Sequence, residues 1–402
     1  MWTLSSEYEK ALGRKIAGHR KRRGLSQKEF AGLLDRSEAW VSQVERGVRR
    51  VDRMTVLVKV AEVLDIPVGE LAAEAPIVAS VAEEEAPGAG RLRLVLSGAH
   101  ALRAVLGRPE PVDVAAARAK VERAWSLTHQ GDYAELVALL EGLIPRLESA
   151  ARVGSTEERP ELFRLLATMY QTCGAALANM GEPDVAWVAV ERAVMAAERA
   201  GDPLLMAAGG FRLSVGFLGA GRYEQAAQVS GSTAEALAGD ERVEALALRG
   251  ALALQRALAA GRLNQAEEAY DHLRQAREFA ARVGEGRNDY NTEFGPTNVA
   301  LHEVAVAVDL GDAGVALRAA ASVDASGLSP ERQARFGIDL AKAHAQRRQI
   351  DQAVDALVRV RELLPEMFRT KPTVKQLVAD LLTMSPLPSD RLRALADELG
   401  SL

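Results

Sequence analysis

An all-α fold follows from three features of this 402-residue chain. Hydrophobic residues make up 48% of it but aromatics only 4%, alternating strand patterns are absent, and a glycine-marked helix break recurs along most of its length. The apolar set is mostly Ala, Leu and Val, which form helices well or let them pack closely. A single core does not grow with so long a chain, so the length predicts two or three units, or one small domain and a repeat array. No apolar run reaches about 18 residues, and MWTLSSEYEK lacks a charged-then-apolar leader, so a cytoplasmic protein with no membrane partner is expected. The one cysteine, Cys173, excludes an internal disulfide and a thiolate metal cage, and its small neighbours in YQTCGAALA predict helix packing.

Charge divides the chain. The formal net charge is −5, yet Lys10 to Lys59 holds 14 Lys or Arg against 5 Asp or Glu, a local +9 that leaves −14 for the remainder. A basic head on an acidic body points to a polyanion partner at the N-terminus alone.

Residues 7 to 73 read as short helices broken at Gly24, near Asp35, at Gly47 and at Pro67. In LSQKEFAGLLDRSEAWVSQVERG (25–47), Ser26 caps one helix and Glu29 completes a capping box. A second helix starts at Ser37 and turns Val41 and Val44 inward, and the steep crossing of the two needs a small residue, for which Ala31 is the candidate. Leu25, Ser26, Gln27, Ala31, Val41, Ser42, Glu45 and Gly47 meet the pattern L-S-Q-x-x-x-A followed by V-S-x-x-E-x-G. The stretch resembles the helix-turn-helix of the phage-repressor or XRE family over roughly residues 8 to 73. It departs from the family at Asp35, where Gly is usual, and at Arg36, where an apolar residue is common; Asp tolerates the left-handed turn conformation.

The resemblance implies a five-helix domain over 1–73, double-stranded DNA as partner, and Ser37 to Arg46 as the recognition helix in the major groove. Its outer face then carries Ser37, Glu38, Ala39, Ser42, Gln43 and Arg46. Gln43 suits an adenine edge, Glu38 a cytosine amino group and Ala39 a thymine methyl, while Arg46 suits a phosphate. Gln27 would begin its helix beside the backbone, and Lys28, Arg36, Arg49, Arg50 and Arg53 would displace counterions, although any one of these charges also fits a plain solvated face. Trp40 is expected to pack within the domain. The run HRKRRG (19–24) reads as a phosphate-contacting helix end rather than a localisation signal.

Residues 72–90 are rich in Ala, Glu, Pro and Gly and cannot supply a core, which makes 74–110 a linker and connecting segment and leaves the head mobile. Beyond it, fresh helix starts follow Gly131, Gly181, Gly221, Gly261, Gly311 and Arg348, with Ala186, Ala226, Ala266, Ala316 and Ala353 five places after the last five of these marks. Around Gly181 the pattern falls on Tyr170, Cys173, Gly174, Leu177, Ala186 and Ala193, with Tyr133 and Tyr223 as turn tyrosines. The segment 111–402 resembles the tetratricopeptide family, with spacings longer than usual and most large aromatics missing; an α-solenoid of about six helical hairpins is implied.

Carried over from that family, the groove-facing positions are Gln171, Phe211, Gln255 and Asn298. The densest polar cluster, RNDYNTEFGPTNVALHEV (287–304), adds Arg287, Asn288, Tyr290, Asn291 and Phe294 before a helix near Pro296, on which Asn298 and His302 share a face. Such amides hold a peptide backbone or a small polar ligand, or serve only as turn residues. A repressor-like head on such an array resembles bacterial regulators whose repeats sense a signal peptide or small molecule. Because one helix reads few base pairs, a homodimer is expected, held by the acidic body or by the C-terminal helices VKQLVADLL and RLRALADEL. Phosphate-loop and H-E-x-x-H motifs are absent and the six histidines are scattered, so neither catalysis nor a cofactor or metal is expected. The competing reading is a repeat scaffold for protein partners with a DNA-localising head.

Overall fold

The computed structural model describes residues 2–49, 51, 54–66, 71, 88–97 and 112–400. Among these the chain is helical throughout, as a small head and a body of stacked hairpins. The head holds α1 (Trp2–Arg22), α2 (Gln27–Leu33), α3 (Glu38–Glu45) and α4 (Met54–Leu64). Of an expected fifth helix only Leu71 is described. Two serines start the short helices. The Ser26 hydroxyl accepts from Glu29 N at 3.2 Å and Glu29 Oε2 accepts from Ser26 N at 2.9 Å, which completes the capping box; Ser37 accepts from Trp40 N at 3.2 Å. Asp35 takes the left-handed turn position with φ 55°.

Leu12, Ile16, Phe30, Ala31, Val41, Val44, Val60 and Ala61 form the head core, with Trp40 half-buried against it. Ala31 is buried, but the tightest approach is elsewhere. A Cβ on Gly13 would lie 2.4 Å from the Val44 carbonyl oxygen and 2.6 Å from that of Glu45, so α1 crosses α3 in direct backbone contact.

The body begins with α5 (Ala89–Val95), whose Ala89, Leu92 and Val95 are buried in its core. The expected connecting segment 74–110 thus contains a helix of the body, and most of the rest of it lies outside the described residues. Six hairpins follow: α6 (Val114–Gln130) with α7 (Tyr133–Val153), α8 (Arg159–Asn179) with α9 (Pro183–Ala200), α10 (Pro203–Gly219) with α11 (Tyr223–Ala236), α12 (Val243–Arg262) with α13 (Ala266–Val283), α14 (Pro296–Asp309) with α15 (Ala313–Ala320), and α16 (Pro330–Gln346) with α17 (Ile350–Leu363). Then come α18 (Pro365–Thr370), α19 (Pro372–Met384) and α20 (Asp390–Glu398).

Five of the six hairpin turns fall on the marks read from sequence, with positive φ at Gly131, Gly181, Gly221, Gly311 and Arg348. The fourth is displaced. Gly261 lies within α12, and Asn264 with φ 61° makes the turn, so the alanine buried five places beyond is Ala269, while Ala266 is exposed. Asn reaches the left-handed region more easily than most residues, which is why a glycine was not required there.

The first helices of the six hairpins pack each against the next, and α16 returns to pack against α6. The array therefore closes into a ring. Arg335 donates to Asn179 Oδ1 at 2.9 Å across the closure, and Leu364 seals it against Gly131. The helices of VKQLVADLL and RLRALADEL turn Val374, Leu377, Val378 and Leu381, and Leu392, Leu395 and Ala396, into the chain's own core.

The head is seated on the end of this array, in contrast to the mobile head expected from the linker composition. Met384 of α19 joins the head core and Ile350 of α17 packs on it. Arg23 pairs with Asp380, Nε donating to Oδ2 at 2.8 Å, and Gln346 Nε2 donates to the carbonyls of Arg22 and Val308, both at 2.9 Å. Arg348 clasps Glu29, donating to Oε2 at 2.8 Å and to Oε1 at 2.5 Å. Gly24 is needed there, since a Cβ would lie 2.7 Å from the Ala345 carbonyl oxygen.

Candidate functional site

Two places bear on function: the outer face of α3, and a cavity in the inner wall of the ring. On α3 and its flanks Ser37, Glu38, Ala39, Arg46, Lys28 and Arg36 are exposed, and Ser42, Gln43 and Gln27 are half-buried. The polar contacts of the head with the body are made by the end of α1 and by Glu29, and none of the residues named on the outer face of α3 is buried. Arg36 lies over the Trp40 ring at 5.8 Å, Arg46 Nε donates to Ser42 O at 3.2 Å, and Arg49 reaches Gln43 Oε1 at 3.5 Å. Arg50 and Arg53 lie outside the described residues.

The position that sequence reasoning left without a role is Glu45. Its carboxylate accepts from Arg20 Nε at 2.5 Å, from Arg20 NH2 at 2.9 Å and from Gln27 Nε2 at 2.8 Å, tying α1, α2 and α3 together. The amide of Gln27 is thereby held at the start of α2. Within HRKRRG, Arg20 is turned inward to Glu45 and Arg23 to Asp380, and Lys21 is exposed.

Inside the ring, burial rather than exposure decides the chemistry. Arg212 of α10 lies over the rings of Trp125 at 4.6 Å and Phe211 at 5.0 Å and donates to the carbonyls of Tyr290 and Asn291 at 3.2 and 2.7 Å; burial pushes its guanidinium down to about 9. The segment between α13 and α14 that it holds contains three non-glycine residues with positive φ, Tyr290, Asn291 and Glu293, and it drives Phe294 onto the bare Gly250 of α12.

A cavity of about 160 Å³ lies between α12, α14, α16 and the start of α19. Of the expected ligand residues, Asn298 and His302 line it. Gln171, Phe211 and Gln255 are buried away from it, Gln171 donating to Leu205 O at 3.2 Å, and Asn291 is half-buried beneath Arg212. Asn298 Nδ2 donates to the Glu293 and Thr292 carbonyls at 2.9 and 3.3 Å, which leaves Oδ1 buried with no hydrogen-bond partner among the described residues. His302 Nδ1 lies 2.8 Å from the Asn298 carbonyl and so carries the proton, making Nε2 an acceptor. Burial holds His302 down at about 3.

The cavity wall carries five cations. Arg262 pairs with Asp309 at 3.0 Å, Arg332 with Glu293 at 3.4 Å, Arg335 with Glu331 at 2.6 Å and Lys342 with Asp339 at 3.6 Å. The side chain of Lys371, at the joint of α18 and α19, makes no hydrogen bond or ion pair with any described residue, and burial pushes its ammonium down to about 7. Burial by itself would raise the Glu331 carboxyl, but Arg335 and Arg332 bring it to about 2. Among the described residues no cluster of His, Cys, Asp and Glu could hold a metal, and no helix is long and apolar enough to cross a membrane.

Residues 11–74 match the family model for a helix-turn-helix domain. The chain is thus an all-α protein in which a helix-turn-helix head precedes a ring of helical hairpins. No curated protein matches it. Among solved structures it is similar to a Rap protein complexed with Competence and Sporulation Factor, at 12% identity over 72% of this chain and 87% of that one, with a TM-score of 0.46. It is also similar to PlcR of Bacillus thuringiensis, solved with the peptide PapR7 and DNA, at 17% identity over 68% and 95% of the two chains, with a TM-score of 0.27. Both scores lie below 0.5, so neither fixes the path of this ring.

Proposed function

We propose that the protein is a sequence-specific, homodimeric transcriptional regulator of the XRE type, working in the cytoplasm, whose ring binds a peptide or small molecule and biases how its heads meet DNA. The observation that carries this reading is the open outer face of α3 on a head matched as a helix-turn-helix domain. Gln43, Glu38 and Ala39 stand where base edges are read, Ser37 and Ser42 border them, and Lys28, Arg36 and Arg46 face the phosphates, with Gln27 ordering the start of α2. Two heads on one site supply the specificity that one short helix lacks, and their half-sites lie one or more helical turns of about 34 Å apart. On the ring side, Asn298 and His302 line a cavity and are the proposed ligand contacts; Gln171, Phe211, Gln255 and Asn291 support the ring around them. A ligand changes DNA affinity only if it binds two arrangements of the heads unequally.

Gel shifts of the full chain on its own upstream region test the DNA-binding reading. Affinity should fall steeply with salt, and Lys28→Ala or Arg36→Ala should each reduce the salt slope by about 1. Binding that ignores salt and both substitutions would count against it.

A further inference from the structure

We propose that the cavity between α12, α14, α16 and α19 binds an organic carboxylate that also carries an N–H donor, with Lys371 as its counter-ion and Asn298 Oδ1 as its acceptor. This deepens the ligand-sensing reading above and rests on it. Four of the five wall cations already have carboxylate partners, so among the described residues the wall presents one unmatched ammonium, Lys371. Lys371 is half-buried, and an ammonium at the cavity wall with no carboxylate partner draws an anion into that space. Asn298 is 2% exposed and lines the same space with its oxygen unsatisfied; a buried acceptor of that kind calls for a donor. His302 Nε2 adds a second acceptor nearby and, being neutral, does not compete for the anion. One cation beside two acceptors describes the end of a peptide, or an N-acylated amino acid, better than a phosphate or an amine. Burial holds Lys371 near 7, so its proton is weakly held until an anion arrives.

The position of the cavity supplies the consequence. Its α16 wall ends at Gln346, which holds the end of α1, and α19, which starts at the cavity, carries Asp380, the partner of Arg23. Of the four helices that line the cavity, α16 and α19 hold the head, and α19 begins at Lys371. Occupancy therefore acts on the seat of the DNA-binding domain without passing through residues 72–87.

The test measures thermal unfolding of the full chain at fixed ionic strength, set with chloride. The probes are a pool of pentapeptides with free C-termini, the same pool amidated, and N-acetylglycine. The free-acid pool should raise the melting temperature by about 2 °C at saturating excess over chloride, and the amidated pool should not. The gain should vanish in Lys371→Met and persist in Lys371→Arg and in Lys375→Met, an exposed lysine on the same helix. Lys371→Met should itself melt no lower than wild type, because Met keeps the volume and removes the unmatched charge. A response to N-acetylglycine equal to the pool's identifies a small acid as sufficient; a response to the pool alone identifies a peptide terminus. If no free acid exceeds the chloride control, or Lys371→Met responds as wild type does, the proposal is overturned. A host extract that alters DNA affinity equally in wild type and in Lys371→Met would leave the ligand-sensing ring standing and remove the carboxylate site alone.

Discussion

Glu45 joins three helices through one carboxylate, and its side chain and that of Arg20 are 6% and 9% exposed. Removing one member leaves the other buried and unpaired. Glu45→Gln should therefore destabilise the head by about 3–5 kcal/mol, read as an early transition in thermal unfolding that wild type lacks; a single unshifted transition would refute this role. His302 makes the complementary prediction for pH. Its pKa in the folded chain, about 3, lies below the ordinary 6.5, so the unfolded chain takes up the proton first. Stability from this group is complete above about pH 6.5 and declines as pH falls toward 3. His272, held at about 4 by burial and by Arg256, adds to the same decline. His302→Gln should flatten the fall in melting temperature between pH 6.5 and 4, and a slope equal to wild type would show that the imidazole is not buried. Of these residues the sequence exposed Asn298 and His302, because they stand four apart on a helix with a clear start. Lys371 was hidden, since nothing local distinguishes it from a solvated lysine beside a proline.

Among the elements, the helix-turn-helix was legible because its constraints are short-range: a cap, a capping box, an inward pair of valines and a turn residue. The closeness of α1 to α3 was not, since it joins Gly13 to residues 31 and 32 places later. Gly13→Ala should cost the head about 1–3 kcal/mol, because a Cβ there would meet backbone carbonyls that cannot swing aside. Comparison of urea unfolding midpoints with Gly32→Ala, which meets open space, would check it, and equal midpoints would contradict it. The hairpins were legible as a period, but the Gly261 mark was misplaced by three residues because the turn there rests on Asn264 rather than on glycine. On α3, Gln43→Ala should cost about 1–3 kcal/mol in DNA affinity and relax one base position.

The whole molecule is a ring closed by contacts such as Arg335 to Asn179, 156 residues apart, and a head held at Asp380, 357 residues from Arg23. No periodicity announces contacts so distant, and the linker composition pointed to a mobile head. The Glu29–Arg348 pair belongs to this scale. Hydrogen bonds from Arg348 set the Glu29 carboxyl at about 2, below its ordinary 4.5, so the clasp is complete above about pH 4.5 and is lost as pH falls toward 2. Arg348→Glu combined with Arg23→Met should release the head, raising amide exchange at the end of α1 and in the α16–α17 turn while leaving the head folded; unchanged exchange would show the seat does not depend on these charges. The most direct measurement of the central claim is selection of bound duplexes from a randomised pool by the full-length protein, run beside Gln43→Ala. Wild type should yield a two-half-site motif, and the variant degeneracy at one position of each half-site. Recovery of no motif from either protein would contradict it.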